Sequence, residues 1–223
     1  MNIKSYYYSV MEKYLTLKQK RVLELIYDSI RSSGFPPTLA DLKEELGVSS
    51  NQSVLNFLEI LGKKECIKRE EGQARSITIL PLGYKEIEKE PLVRMAGYSA
   101  AGPYTESFTE TLNWIPIDGQ VLANEKINQA RDKVFIIQVI GDSMINVGIN
   151  DGDNLLIKES KEYKSGDIVL ARTDDGVTVK RFIAEGGKRY LKPENPAYEK
   201  MVIIPGEVRF QGKVILNLSK INQ

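Results

Sequence analysis

The sequence contains no histidine and a single cysteine, Cys66, among its 223 residues. One cysteine cannot form an internal disulfide, and without histidine the chain cannot assemble the usual Cys/His zinc sites. We therefore expect no metal, and no other cofactor is indicated. The lack of histidine also excludes Ser-His-Asp and Cys-His catalysis, so a serine nucleophile in this chain would need a lysine or a carboxylate as its base.

Long apolar runs and an excess of one charge are also missing. The longest apolar runs are strand-sized, whereas a membrane-spanning helix needs about 20 residues. The N-terminal stretch MNIKSYYYSVMEKY has no secretory signal, so we expect a cytoplasmic protein without a membrane partner. The formal net charge is only +1, so any contact with nucleic acid must come from a local basic cluster.

The length suits two domains, each large enough to bury its own core. The first eighty residues begin with a helix signal, because Thr16 and Gln19 form a capping-box pattern. Apolar residues then recur at helical spacing until Gly34. The sequence therefore predicts an amphipathic helix that ends before the two prolines at 36 and 37.

Two further helices are predicted at close spacing. Thr38 with Asp41 opens the first of them, and Gly47 ends it. Ser49 or Ser50 then caps the next helix, whose outward face is polar. This order of helix, short turn and helix is typical of the helix-turn-helix motif that binds DNA.

The stretch after the third helix is basic and then alternates, which favours a β-hairpin. Such a hairpin would be the wing of a winged helix-turn-helix, and its cations would contact phosphates and hold the third helix in a major groove. These cationic side chains are Lys63, Lys64, Lys68, Arg69 and Arg75. The expected base-reading residues, whose hydroxyls and amides can hydrogen-bond base edges, are Ser50, Gln52, Ser53 and Asn56.

From Pro81 to Glu90 the sequence is short, charged and aperiodic, which is typical of a linker. We therefore expect a winged helix-turn-helix of three helices and a hairpin at residues 1–80, with an extension at 1–14. A linker at 81–91 would lead to a second, mostly β domain at 92–223. The strands predicted in this domain are Val134 to Ile140, Leu155 to Ile157, Ile168 to Arg172, Val177 to Ile183 and Val208 to Leu216.

Two residues of the β domain are candidates for catalysis. The hairpin signal Asp175-Gly176 places Lys180 in mid-strand, on the same face as Thr178. The tetrapeptide Gly141-Asp142-Ser143-Met144 directly follows an apolar strand, so the Ser143 hydroxyl can be exposed at the strand end beside the sheet. Taken singly, a mid-strand lysine is usually solvated and such a serine is usually a turn residue.

Longer stretches resemble a known family. LTLKQKRVLELIYDSIRSSGFPPTLADLKEELGVSS closely resembles the start of LexA repressors. GDSMINVGINDGDNLLI and ARTDDGVTVKRF resemble the two motifs of the self-cleaving family of LexA and UmuD, and LKPENPAYEKMVI fits its third stretch. Leu55 and Asn56 stand where many members carry an acidic pair, so the usual operator sequence of the family is not expected here.

The resemblance implies that Ser143 is a nucleophile, that Lys180 is its general base and that Ala101-Gly102 is the scissile bond. This chemistry needs a neutral lysine, because only a neutral amine can take the proton of a serine hydroxyl. Free lysine has a pKa of about 10.4, so burial must lower it by several units. We expect the apolar cleavage segment at 92–103 to supply that burial when it docks as an extended strand.

The resemblance also implies partners. These are operator double-stranded DNA, a second copy of the chain through the C-terminal domain, and, as activator of self-cleavage, RecA filaments on single-stranded DNA in the SOS response to DNA damage. One alternative is a phage-type repressor of the same architecture. Another is a transcription factor whose β domain only dimerises or senses a ligand. A signal peptidase would need a membrane anchor, and a UmuD-like protein would lack the first eighty residues.

Overall fold

The computed structural model describes residues 14–69, 76–100, 113–128, 132–173, 176–199, 201–203 and 208–221. The chain forms two compact units. The described residues of the first unit lie at 14–92 and 113–128, and those of the second lie at 93–100 and from 132 onward. Within these ranges, no helix has the length and apolar character that crossing a bilayer requires.

The first unit begins with helices whose ends follow local capping chemistry. These helices are α1 (Leu17–Ser33), α2 (Leu39–Glu45) and α3 (Asn51–Lys63). Both predicted capping boxes are present, at Thr16 and at Thr38, where each hydroxyl accepts a backbone N–H three residues on. Ser50 is the cap of α3, and its Oγ accepts the backbone N–H of Ser53 at 3.2 Å. The three predicted helices are thus confirmed.

The predicted wing is also present. Strand β1 (Ile67–Arg69) pairs antiparallel with β2 (Ile77–Ile79). The tip at 70–75, which includes the expected phosphate contact Arg75, lies outside the described residues. Helices and hairpin share one apolar core that includes Val22, Leu23, Ile26, Leu42, Val54, Leu58, Leu61, Ile67 and Ile79.

A helix, α4 (Pro81–Glu86), occupies the segment that the sequence assigns to a linker. Its proline stands in the first helical turn, where the missing N–H leaves no bond unmade. Tyr84 and Ile87 are buried in the core of the first unit, and the Tyr84 ring meets that of Tyr27 edge-on at 6.2 Å. Six residues are too few to display a helical period, so the sequence pattern did not reveal this helix.

After α4, strand β3 (Leu92–Ala100) continues into the second unit. Residues 113–128 belong to the first unit and contain β4 (Trp114–Pro116) and α5 (Gly119–Asn124). The sequence places both 93–100 and 113–128 in its second domain. The two compact units therefore differ from the predicted domains, because residues 93–100 belong to the second unit and residues 113–128 belong to the first.

The second unit is built on a mixed sheet. Its other strands are β5 (Val134–Ile140), β6 (Asn154–Lys158), β7 (Ile168–Thr173), β8 (Gly176–Glu185), β9 (Lys188–Lys192), β10 (Met201–Val202) and β11 (Arg209–Asn217). They lie in the order β10-β9-β8-β7-β11-β6-β5-β3, and the described pairings are antiparallel except those of β3. The sheet curls, because Ala100 at the end of β3 aligns with both Ile140 and Thr178. The predicted mostly β fold of this half is confirmed.

Candidate active site and nucleic-acid interface

The two catalytic candidates meet in the second unit. Strand β5 ends at Ile140, and Gly141, with φ of 95°, begins the turn that carries Ser143. Strand β8 carries Lys180, whose Nζ lies 2.8 Å from Ser143 Oγ. Residues 37 positions apart in sequence are thus brought within hydrogen-bond distance, which is the geometry that a nucleophile and its general base require.

Lys180 lies in surroundings that disfavour its charge. Its Nζ also contacts Thr178 Oγ1 at 2.7 Å and the Val179 carbonyl at 3.1 Å. The cross-strand neighbour on β7 is the fully buried Val169. Burial lowers the pKa of Lys180 to about 8. Among the residues that the structure describes, no acidic side chain contributes to this shift, so the amine loses its proton far more readily than a solvated lysine does.

Ser143 is fully buried, whereas the sequence suggested an exposed hydroxyl. A segment distant in sequence, residues 194–198, lies against the loop that carries it, and we call this segment the strap. The backbone N–H of Glu194 donates to the Ser143 carbonyl at 2.8 Å, and Asn146 N–H donates to the Glu194 carbonyl at 2.9 Å. The expectation of exposure was wrong because nothing local to Ser143 announces this long-range contact.

The strap also binds the side chain of Asp142, the residue before Ser143. Asn195 Nδ2 donates to the Asp142 carbonyl at 3.1 Å and to its Oδ2 at 3.2 Å. The Tyr198 hydroxyl donates to Asp142 Oδ1 at 2.6 Å, and this bond raises the pKa of Tyr198. The Glu194 carboxylate forms an ion pair with Arg181 on β8. The strap therefore connects the loop that carries Ser143 to the strand that carries Lys180.

The predicted scissile bond Ala101–Gly102 lies outside the described residues. The residue before it, Ala100, is the last of β3 and aligns in parallel with Ile140 and with Thr178. Those partners stand at the end of β5, just before Ser143, and two residues before Lys180. The described chain thus reaches the neighbourhood of the pair one residue before the expected cut.

The exposed face of α3 presents two amides. Gln52 and Asn56 are both exposed, and Gln52 Nε2 donates to Asn56 Oδ1 at 3.0 Å. The other two predicted base readers are engaged locally, because the Ser50 and Ser53 hydroxyls lie 3.0 Å apart in the cap of α3. Of the four expected base-reading residues, Gln52 and Asn56 are therefore the two whose side chains take no part in the helix cap.

The two lysines after this face differ in their surroundings. Lys63 is exposed and pairs with Glu59 one turn earlier at 2.7 Å. Lys64 instead donates to the Tyr14 carbonyl at 2.5 Å and lies 3.5 Å from Gln19 Oε1. Lys63 thus keeps an exposed ammonium beside Glu59, whereas Lys64 ties the end of α3 to the residues around the start of α1.

Other chemistry finds little support in the described residues. Cys66 is buried in the core of the first unit, and burial raises the pKa of its thiol to about 11, far from a reactive thiolate at neutral pH. Within the described ranges, no group of three or more acidic, cysteine or histidine side chains could hold a metal ion.

Comparison with known proteins agrees with this arrangement. Residues 95–215 match the Peptidase S24-like family, and residues 11–76 match the LexA DNA binding domain. Fold and site thus define a class in which a winged helix-turn-helix that binds DNA is joined to a peptidase-type β unit.

Full-length relatives make the assignment more specific. The chain is similar to LexA repressors of Exiguobacterium sp., 32% identical over 91% of this chain and 96% of the relative, and of Citrifermentans bemidjiense, 34% identical over 90% and 95%. It is also similar to that of Mycobacterium tuberculosis, 31% identical over 93% and 89%. The chain belongs to the LexA repressor family, and its second unit belongs to a family of serine-type self-cleaving peptidases.

Proposed function

We propose that this chain is a repressor that ends its own action by cutting itself between Ala101 and Gly102, with Ser143 as nucleophile and Lys180 as general base. The observation that carries the proposal is the 2.8 Å contact between Ser143 Oγ and the Nζ of Lys180, whose pKa burial lowers to about 8. Strand β3 supports it, because its last residue lies beside the strands of both groups.

The reaction follows from these groups. Neutral Nζ of Lys180 takes the proton of the Ser143 hydroxyl while Oγ attacks the carbonyl carbon of Ala101. The tetrahedral intermediate collapses, the bond to the Gly102 nitrogen breaks, and the lysine ammonium gives its proton to that nitrogen. Water then hydrolyses the ester on Ser143, again with Lys180 as base. The products are residues 1–101 and 102–223, and the tethered substrate gives a high effective concentration.

The biological role rests on the family. We place the chain on operator DNA as a homodimer, since two reading heads suit a two-fold operator and separation of head from dimer domain weakens binding. The activator would be a RecA filament on single-stranded DNA, and the repressed genes would be those of the SOS response. Such an activator must favour the state in which the scissile bond is docked, because it can shift an equilibrium only by differential binding.

Purified chain held at alkaline pH should yield two fragments, and their masses should correspond to residues 1–101 and 102–223. Ser143→Ala should stay intact under the same conditions because the attacking oxygen is gone. Ser165→Ala, which changes an exposed serine of the same unit, should cleave like the unmodified chain. Mass spectrometry of a time course measures this. An intact unmodified chain, even with activated RecA added, would leave only a DNA-binding protein with an inert β unit.

The exposed amides of α3 predict what the operator contains. Asn and Gln side chains pair bidentately with the N6 and N7 groups of adenine. We therefore expect operators selected from a randomised duplex pool to contain adenine where Gln52 and Asn56 reach the major groove. Gln52→Ala or Asn56→Ala should each weaken binding to such an operator about tenfold and relax the preference at one A·T pair.

Lys63→Ala is the matched control for this prediction. A phosphate contact carries no sequence information, so this variant should lose affinity for selected and random DNA alike. Its log-log salt slope should fall by about one. Equal losses on selected and random DNA for Gln52→Ala and Asn56→Ala would show that these amides do not read bases.

A further inference from the structure

The first unit is assembled from two stretches of chain that flank the proposed scissile bond. We call residues 113–128 the docked segment. Trp114 of this segment packs against the core of the unit, and its Nε1–H donates to the Gly34 carbonyl at 3.1 Å. Gly34 is the left-handed residue that ends α1, with φ of 84°. The docked segment thus covers the end of the first helix of the helix-turn-helix.

Further contacts hold the docked segment to the end of the N-terminal stretch. Ile117 N–H donates to the Pro91 carbonyl at 2.9 Å, and Gly119 N–H donates to the Glu90 carboxylate at 2.9 Å. Within the segment, Leu122 is only 2% exposed, and it lines one cavity together with Tyr84 and Pro91. The surface that receives the segment is therefore both polar and apolar, and it is formed by residues on the N-terminal side of the proposed cut.

Strand β3 makes a contact of the opposite kind. Its residues precede the proposed cut, yet they pair with β5 in the second unit, with Arg94 opposite Phe135 and Met95 opposite Ile136. The stretch before the cut therefore contributes β3 to the second unit, and the stretch after the cut contributes the docked segment to the first unit.

We propose that the two cleavage products bind one another after the cut, and that the face of the first unit around Gly34, Glu90 and Pro91 is the binding site for the docked segment of the C-terminal product. The proposal rests on the proposed function for the position of the cut. Before cleavage the segment docks within one chain, at an effective concentration on the order of millimolar. After cleavage its occupancy depends on protein concentration, so the cut separates the products only when they are dilute.

Trp114 is the sole tryptophan of the chain, so its fluorescence reports docking directly. The experiment uses full-length Ser143→Ala with a recognition site for an added protease inserted between Gly102 and Pro103. Because the added protease makes the cut, the test does not depend on self-cleavage. We expect the two fragments to co-elute at micromolar concentration with unchanged Trp114 emission, and the emission to shift to the red as the cut protein is diluted.

Leu122→Ala in the same background tests the site itself. In the uncut chain, high effective concentration should keep the segment docked and the emission nearly unchanged. In the cut chain, the affinity between fragments should fall about thirtyfold, the effect of losing a buried leucine. Asn124→Ala, an exposed change in the same helix, should leave both states unaltered.

Three results would overturn the proposal. One is fragments that separate at micromolar concentration as soon as they are cut. Another is separated fragments with unchanged Trp114 emission, since the ring would then be buried within its own product. The third is a cut Leu122→Ala protein whose fragments associate as tightly as the parent fragments do. These three results can be interpreted even if the unmodified chain does not cleave itself, because the added protease makes the cut.

Discussion

Lys180→Arg should abolish self-cleavage at every accessible pH, whereas the unmodified chain should cleave itself about tenfold faster for each pH unit until the pH reaches about 8. Arginine keeps the charge and much of the length of lysine but does not lose its proton in proteins. Burial lowers the pKa of Lys180 to about 8, so about one chain in ten carries the neutral amine at pH 7. Loss of the base should cost about a thousandfold in rate, which leaves no detectable cleavage over the time in which the unmodified chain cleaves.

The measurement is the first-order rate of fragment formation between pH 6 and pH 10. Lys188→Arg, which changes an exposed lysine at the start of β9, should keep the profile of the unmodified chain. A rate independent of pH, or residual cleavage in Lys180→Arg that still rises with pH, would assign the general base to another group.

The same burial carries a cost in stability whose sign follows from proton linkage. The folded chain binds the Lys180 proton less tightly than the unfolded chain, whose lysine has a pKa of about 10.4. The contribution of this residue to the free energy of unfolding is therefore fully present above that value and is lost as the pH falls through about 8. Lys180→Met removes the buried charge, so it should raise the melting temperature of the second unit at pH 7 and have less effect at pH 10.

Gly83→Ala should lower the melting temperature of the first unit by about 10 °C relative to the unmodified chain, and self-cleavage should continue. A Cβ at this position would lie 2.2 Å from the Cys66 carbonyl oxygen and 2.9 Å from Ile79 Cγ2. That carbonyl accepts the Leu80 N–H at 2.9 Å, so it cannot yield without breaking the bond that starts α4. Overpacking of this kind costs about 2 kcal/mol, which shifts melting by several degrees per kcal/mol in a unit of this size.

Gly62→Ala is the matched control. This glycine also lies in a helix, but a Cβ there would meet no atom within 4 Å. Alanine is a better helix former than glycine, so this variant should raise the free energy of unfolding of the first unit by up to about 1 kcal/mol. Trp114 fluorescence follows melting of the first unit alone, since no other tryptophan is present. Equal melting temperatures for the two variants would mean that α4 can move away from Cys66 at little cost.

The predictable part of this molecule is the part that local chemistry specifies. A capping box requires only residues three positions apart, so the starts of α1 and α2 follow directly from Thr16 and Thr38. Strand β5 has the bounds that its mostly apolar run predicts, because a short apolar run of this length is typical of a strand in a sheet core. The placement of Lys180 and Thr178 on one face of β8 follows from the two-residue period of a strand.

What the sequence does not reveal depends on contacts between distant residues. Neither the burial of Ser143 nor the contacts of the strap can be derived from periodicity, because Glu194 and Ser143 are hydrogen-bonded although they lie far apart in sequence. Local pattern does not distinguish helix α4 from a linker, because Tyr84 and Ile87 are buried only by the core of the first unit. The docked segment is not predictable either, because Trp114 donates to Gly34, at the end of a helix distant in sequence.

The strap has a consequence for how sequences of this family can diverge. Asp142 is bound by Asn195 and Tyr198 at once, and Glu194 joins the same segment to Arg181. A change at Asp142 alone would leave the Tyr198 hydroxyl without its acceptor and the Asn195 amide with only the backbone carbonyl of residue 142. The three stretches around residues 142, 181 and 195 are therefore coupled, and we expect them to change together in evolution. Among relatives, substitutions in one stretch should be accompanied by matching substitutions in another, and positions elsewhere on the sheet should vary independently.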